Sequence, residues 1–242
     1  MELLVMPDDL SILLTAAASI AFFHTLFGPD HYLPFIVMAR SGHWSLNKTM
    51  LITIFCGIGH VLSSVLLGLI GIALGIAVSK LEIIEGFRGN LAAWALIAFG
   101  FIYFVWGMKR AVRNEPHKHV HTHQDKITHS HIHVHDDGHC HVHETSDKNN
   151  LTPWILFTIF VFGPCEPLIP LLMYPAAKNN LTALISVVII FSSITISTML
   201  AIVIISTLGI NLIPLQRIER YLHAISGLAI FLSGMAIQLL GL

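Results

Sequence analysis

Charge is what this chain has least of. Asp, Glu, Lys and Arg make up 11% of its 242 residues, against about 25% in an average soluble domain. Beside 55% hydrophobic residues, that scarcity excludes a soluble globular fold and indicates a multi-pass membrane protein. The net charge of −1 leaves no basic surface for nucleic acid. Cysteine is scarce as well. Cys56, Cys140 and Cys165 form no Cys-x-x-Cys pair, which argues against a disulfide framework. The opening residues, MELLVMPDDL, hold Glu2, Asp8 and Asp9 but no Lys or Arg. A cleaved signal peptide needs a basic leading region, so the first apolar span is expected to be retained. No Walker A loop occurs, so any use of ATP would require a partner.

Long apolar runs are what it has most of. Six spans are expected, at about 10–39, 49–78, 90–108, 152–176, 181–210 and 220–241, each near or above the roughly 20 residues needed to cross a bilayer. The fifth is long and rich in Ser and Thr, which fits a tilted helix. With the spans placed this way, Lys80, Arg88 and Lys178 fall on the side of the N-terminus. Arg40, Lys48, Lys109, Arg110, Arg113, Lys118, Lys126, Lys148, Arg217 and Arg220 fall on the other. Positive residues stay inside, which puts both termini outside a cell (inner) membrane and the loop after span three in the cytoplasm. Trp44, Trp106 and Trp154 lie near the inner ends of spans, where an aromatic belt is expected.

Within the first run, Phe27–Phe35 reads FGPDHYLPF, with His24 just ahead. Gly28-Pro29 predicts a kink or break. Ionisable groups at membrane depth are functional candidates by default. The motif recurs as FGPCEPLIP at Phe162–Pro170, in the first apolar run of the second half. Two units of three spans, each opened by this motif, must run in opposite directions through the membrane. The expected fold class is therefore all-α, a polytopic membrane protein of six transmembrane helices in two inverted three-helix repeats. Residues 1–110 form the first repeat, 111–150 a His-rich loop and 151–242 the second repeat. Secondary transporters built this way bind their substrate near the midplane, at broken helices.

By depth, His24, Asp30, His31, His60 and Glu166 are the groups able to meet in such a site. They form a nitrogen-and-oxygen donor set for a divalent transition metal. His60 alone reads equally well as a buried interhelical hydrogen bond. Glu166 is a ligand or a proton carrier, and Cys165 is a thiolate ligand or a small residue that lets helices approach. His43 and His223, near the inner interface, read as structural. The loop carries a second signal. His117, His119, His121, His123, His129, His131, His133, His135, His139, His141 and His143 are eleven of the sixteen histidines, with Cys140 among them. Such a tract has no packing role and binds divalent metals readily. Lacking apolar periodicity, it is expected to be largely disordered without metal.

HTLFGPDH, GIGHVLSS and FGPCEPLIPLL, with the His-rich loop between spans three and four, resemble the nickel/cobalt transporter superfamily. The likeness is to its six-span branch of efflux proteins and urease-accessory-type membrane proteins. The resemblance implies that His24, Asp30 and His31 form the metal-recognition motif, with His60 as partner. Importers of that superfamily place four residues between the His and the Asp-His pair. Five separate them here, so metal and direction stay open. The expected function is transport of nickel or cobalt, with zinc as a further candidate, by alternating access, with efflux favoured and proton coupling compatible. No enzymatic activity and no cofactor beyond the carried ion are expected, and homo-oligomers remain open. The second half also resembles cytochrome-c-biogenesis thiol carriers and, more loosely, sulfite exporters. A redox carrier using Cys56 and Cys165, or an anion exporter, is therefore the alternative. The exporter would want basic residues at the midplane.

Overall fold

The computed structural model describes residues 7–112, 117–122, 128–133, 151–211 and 219–240, the 117–122 and 128–133 segments by backbone alone. Eight α-helices account for most of them: α1 (Pro7–Phe27), α2 (Leu33–Ser41), α3 (Leu46–Ala73), α4 (Val78–Val112), α5 (Thr152–Phe162), α6 (Leu168–Ala177), α7 (Leu181–Asn211) and α8 (Leu222–Leu240). Five of these are long and apolar enough to cross a membrane, namely α1, α3, α4, α7 and α8, while α5 and α6 are shorter apolar helices. The chain is thus a membrane-embedded helical protein. Its polarity runs inside out, as lipid demands. On α3, Thr49, Thr53, His60 and Ser64 are buried, while Phe55, Leu62 and Leu69 are exposed.

Proline and glycine place the breaks. α1 stops at Phe27, a 3₁₀ turn spans Pro29–His31, and α2 restarts at Leu33. Proline supplies no backbone N–H and cannot continue the helical ladder. The same happens at Gly163-Pro164, where α5 gives way to α6. The two halves share this layout with a constant offset. α1 and α5 end at Phe27 and Phe162, α2 and α6 begin at Leu33 and Leu168, and α3 and α7 begin at Leu46 and Leu181, each pair 135 residues apart. Packing partners are exchanged in the same sense, since α1 lies on α7 and α5 lies on α3.

α4 and α8 form the closest pair. A Cβ at Gly100 would sit 2.7 Å from the Cα of Phe231, and one at Gly227 would sit 2.6 Å from the Cα of Phe104. Small residues let helices approach to this distance in membranes. Two apolar clusters fill the remaining interior. One, containing Phe35, Trp44, Cys56, Leu96, Phe160 and Met199, occupies the end of the molecule near the α2–α3 turn. The other, with Val61, Cys165, Leu168, Leu172, Val187 and Phe191, lies toward the opposite end.

Three expectations need correction. The third span was placed at 90–108, yet α4 begins at Val78 and runs to Val112, so the first helical unit also ends two residues later than the sequence suggests. Glu85 and Arg88 disguise this start by lowering local hydropathy, but they form an ion pair inside the protein, 2.7 Å between Nη1 and Oε1. Trp44 is buried in the core rather than in a belt, while Trp106 and Trp154 are exposed. The His-rich loop is not wholly irregular: β1 (His117–Thr122) pairs antiparallel with β2 (Thr128–His133). Its period is carried by histidine rather than by apolar residues, and a two-residue alternation is the strand's own. His123, His135, His139, Cys140, His141 and His143 lie outside the described residues.

Candidate metal centre

The break at Gly28-Pro29 turns His31 back toward α1. Seven residues apart on an unbroken helix, His24 and His31 would lie almost two turns from each other. Instead their ring centres are 4.8 Å apart. His60, from the middle of α3, completes a triangle at 5.0 Å from His31 and 6.5 Å from His24. With metal–nitrogen bonds of ~2.1 Å, two imidazoles on one tetrahedral ion have ring centres roughly 5 Å apart. Two sides of the triangle already match that spacing, and a small rotation of His24 closes the third.

The nitrogens are oriented for ligation. His31 Nδ1 lies 3.1 Å from the carbonyl oxygen of Gly28 and 3.2 Å from Oδ1 of Asp30. Both are acceptors, so Nδ1 carries the proton and the Nε2 lone pair points away. His60 lies against the end of α5, its ring centre 6.2 Å from that of Phe160. The Nε2 atoms of His24, His31 and His60 are all buried with no hydrogen-bond partner among the described residues. Buried polar atoms are nearly always paired, and an exception calls for an explanation. Glycine is required at the break itself, because a Cβ on Gly28 would overlap the His31 ring.

Asp30 Oδ1 lies on the Nδ1 side of His31, 3.2 Å away, and Asp30 lines the same cavity as His24, His31 and His60. This is the carboxylate–histidine arrangement that fixes a ligand's tautomer and ring orientation. Cys165 comes closer than Asp30 does: ligand atoms of His24, His60 and Cys165 all lie within 4.8 Å of one another. Glu166 does not join this group. It lines, with Asn90 and Gln238, a cavity of about 840 Å³ whose deep wall includes His24, His31 and His60. The cavity's other α4 contributors, Gly86 to Leu96, belong to the first half of that helix. The cavity therefore runs toward the α3–α4 turn, and on its other side Phe160, which lines it, packs on buried Phe35 at 4.7 Å between ring centres.

A charged pair behind the site was not anticipated from the sequence. Glu85 is fully buried, and Arg88 Nη1 donates to its Oε1 at 2.7 Å. Arg88 Nη2 donates to Ser63 Oγ at 2.7 Å and to the Val161 carbonyl at 2.8 Å. One guanidinium thus ties α4 to α3 and to the last turn of α5, just before its break. The i,i+3 spacing of Glu85 and Arg88 on a helix extended upstream was the available signal. Arg88 consequently does not count as a charge of an outer loop.

His223 takes the structural role expected of it. Arg110 can only donate, so His223 Nε2 accepts from it at 3.2 Å, and Nδ1–H donates to Tyr103 Oη at 2.7 Å. His43 is exposed at the α2–α3 turn. Cys56 and Cys165 are free thiols in separate apolar clusters. In the hairpin, the register sets His117 opposite His133, His119 opposite His131 and His121 opposite His129. Comparison of the chain with protein-family models, with curated proteins and with solved structures finds no match.

Proposed function

We propose that this chain is a membrane transporter of divalent transition-metal ions, nickel or cobalt first and zinc next. The observation that carries this reading is the clustering of His24, His31 and His60, with ring centres 4.8, 6.5 and 5.0 Å apart, whose buried Nε2 atoms have no hydrogen-bond partner among the described residues. Uncompensated polar atoms are costly at membrane depth, and a divalent cation with imidazole affinity offsets that cost. The likeness of HTLFGPDH, GIGHVLSS and FGPCEPLIPLL to the nickel/cobalt transporter superfamily points the same way.

Alternating access is the mechanism that suits the architecture. α5 and α6 together traverse the bilayer as a broken sixth span, and the two halves are inverted repeats. The common 135-residue offset and the exchanged packing of α1 and α5 support that plan. The site lies beside both breaks, where such transporters bind their substrates. Lys and Arg are concentrated on the side of the α2–α3 turn and the His-rich loop, which favours a cytoplasmic loop and external termini. In that orientation the cavity opens outward, the state from which an exporter releases its ion. The hairpin's paired histidines would collect metal on the cytosolic side. Metal and protons compete for imidazole, so exchange with protons is the coupling we favour.

The test is metal content of cells with and without the protein, for nickel, cobalt, zinc and manganese, with His60→Ala as the control. An exporter lowers nickel or cobalt content, and His60→Ala restores it. Unchanged content for all four metals would refute the reading.

A further inference from the structure

The geometry points to Cys165 as the fourth ligand of the core site, which makes the site selective for thiophilic, borderline cations over hard ones. This rests on the metal-transport reading above and adds the determinant of substrate choice. Cys165 sits inside the second break, between the end of α5 at Phe162 and the start of α6 at Leu168. It comes from the opposite half of the chain to His24, His31 and His60. Its side chain is fully buried, and its sulfur lies in one group with His24 and His60, all ligand atoms within 4.8 Å of one another.

Its placement is built rather than incidental. The backbone N–H of Cys165 donates to Ser64 Oγ at 3.1 Å. Ser64 follows His60 by four residues on α3, so one helix face presents His60 and anchors the segment that carries Cys165. Next to it, a Cβ on Gly163 would lie 3.1 Å from His60 Nδ1, so that glycine lets the break close onto the imidazole. The Nε2 atoms of His60 and His31 are buried and unpartnered among the described residues, and the two rings are 5.0 Å apart between centres. Three imidazoles and one thiolate suit a tetrahedral borderline ion such as zinc or cobalt(II), and they discriminate against manganese and magnesium, which prefer oxygen. When the ion binds, the thiol proton leaves to the cavity and a metal–sulfur bond replaces the S–H bond. Because the ligands come from both halves, a bound ion links the two helix breaks directly.

Cobalt(II) titrated into purified full-length protein in detergent is the direct probe. The wild type should develop a thiolate-to-cobalt charge-transfer absorption. Cys165→Ser should lose it, retain the weaker visible bands of histidine-bound cobalt, and bind zinc at least about tenfold less tightly, since even outer-shell partners are worth about 10–100-fold. Manganese binding should change little. Cys56→Ala, in the other apolar cluster, should keep the charge-transfer band. Cobalt bound by the histidines without that band in the wild type would overturn the role of Cys165 while leaving the transport reading intact. No cobalt binding at all, or loss of binding in His60→Ala without any effect of Cys165→Ser, would overturn it as well, the first taking the transport reading with it.

Discussion

Asp30→Asn separates two roles that the sequence leaves joined. If Asp30 coordinated the ion, removing its charge would remove a ligand, and binding should fail as completely as in His60→Ala. In the structure its Oδ1 lies beside His31 Nδ1, 3.2 Å away, where a carboxylate orients the imidazole. There it shares the Nδ1 proton with the Gly28 carbonyl at 3.1 Å. The carbonyl remains in the variant and still fixes the tautomer. What is lost is the charge that makes the imidazole a stronger ligand. Outer-shell partners of this kind are worth about 10–100-fold in metal affinity, or roughly 1.4–2.8 kcal/mol. Isothermal titration of nickel or cobalt into purified Asp30→Asn should therefore show weakened but measurable binding, with unchanged stoichiometry. Asp30→Ala should be similar or slightly worse. Complete loss of the core site in Asp30→Asn, equal to that in His60→Ala, would show direct ligation and refute the placement. Unchanged affinity would show that the carboxylate does not reach His31 in the membrane.

Other consequences follow from single contacts. Arg88→Leu leaves the buried Glu85 carboxylate without its cation, which should cost about 3–5 kcal/mol; a thermal-shift assay should show a large loss that Glu85→Gln in the same chain mostly restores. Reporter fusions after Gly107 and at the C-terminus should give cytoplasmic and external signals respectively, and the same side for both would sink the six-span topology. Deleting residues 117–143 should change apparent affinity or regulation without abolishing transport. An isolated peptide of that loop should bind several metal ions weakly, losing them as pH falls through about 6.5, where imidazole protonates; retention at pH 5 would show that histidine is not the ligand.

The breaks were legible because proline and glycine act locally. Gly28-Pro29 and Gly163-Pro164 end helices whatever packs around them, and His24, Asp30, His31 and His60 could be singled out as charges with no place in lipid. What stayed hidden depends on partners far away in the chain. Glu85 and Arg88 read as loop residues because only their i,i+3 spacing hints at a pair, and no spacing reveals that Arg88 reaches Ser63 and Val161. The approach of Cys165 to His60 needs the packing of α5 on α3, which no spacing within one helix encodes. Asp30 and His31 are neighbours in sequence, and only the turn of the 3₁₀ segment shows which side of His31 the carboxylate occupies. The hairpin carries no apolar alternation, and its alternation is in histidine.

The central claim is that an ion crosses the membrane through the His24–His31–His60 site. It is tested most directly by reconstituting purified protein into liposomes loaded with a metal-sensitive dye and adding nickel or cobalt under a pH gradient. Wild-type protein should carry the ion at a rate that depends on the gradient, and His60→Ala, inserted equally well, should reduce that flux to the level of empty liposomes. Flux through His60→Ala equal to the wild type, or no metal flux through the wild type under either gradient direction, would contradict it.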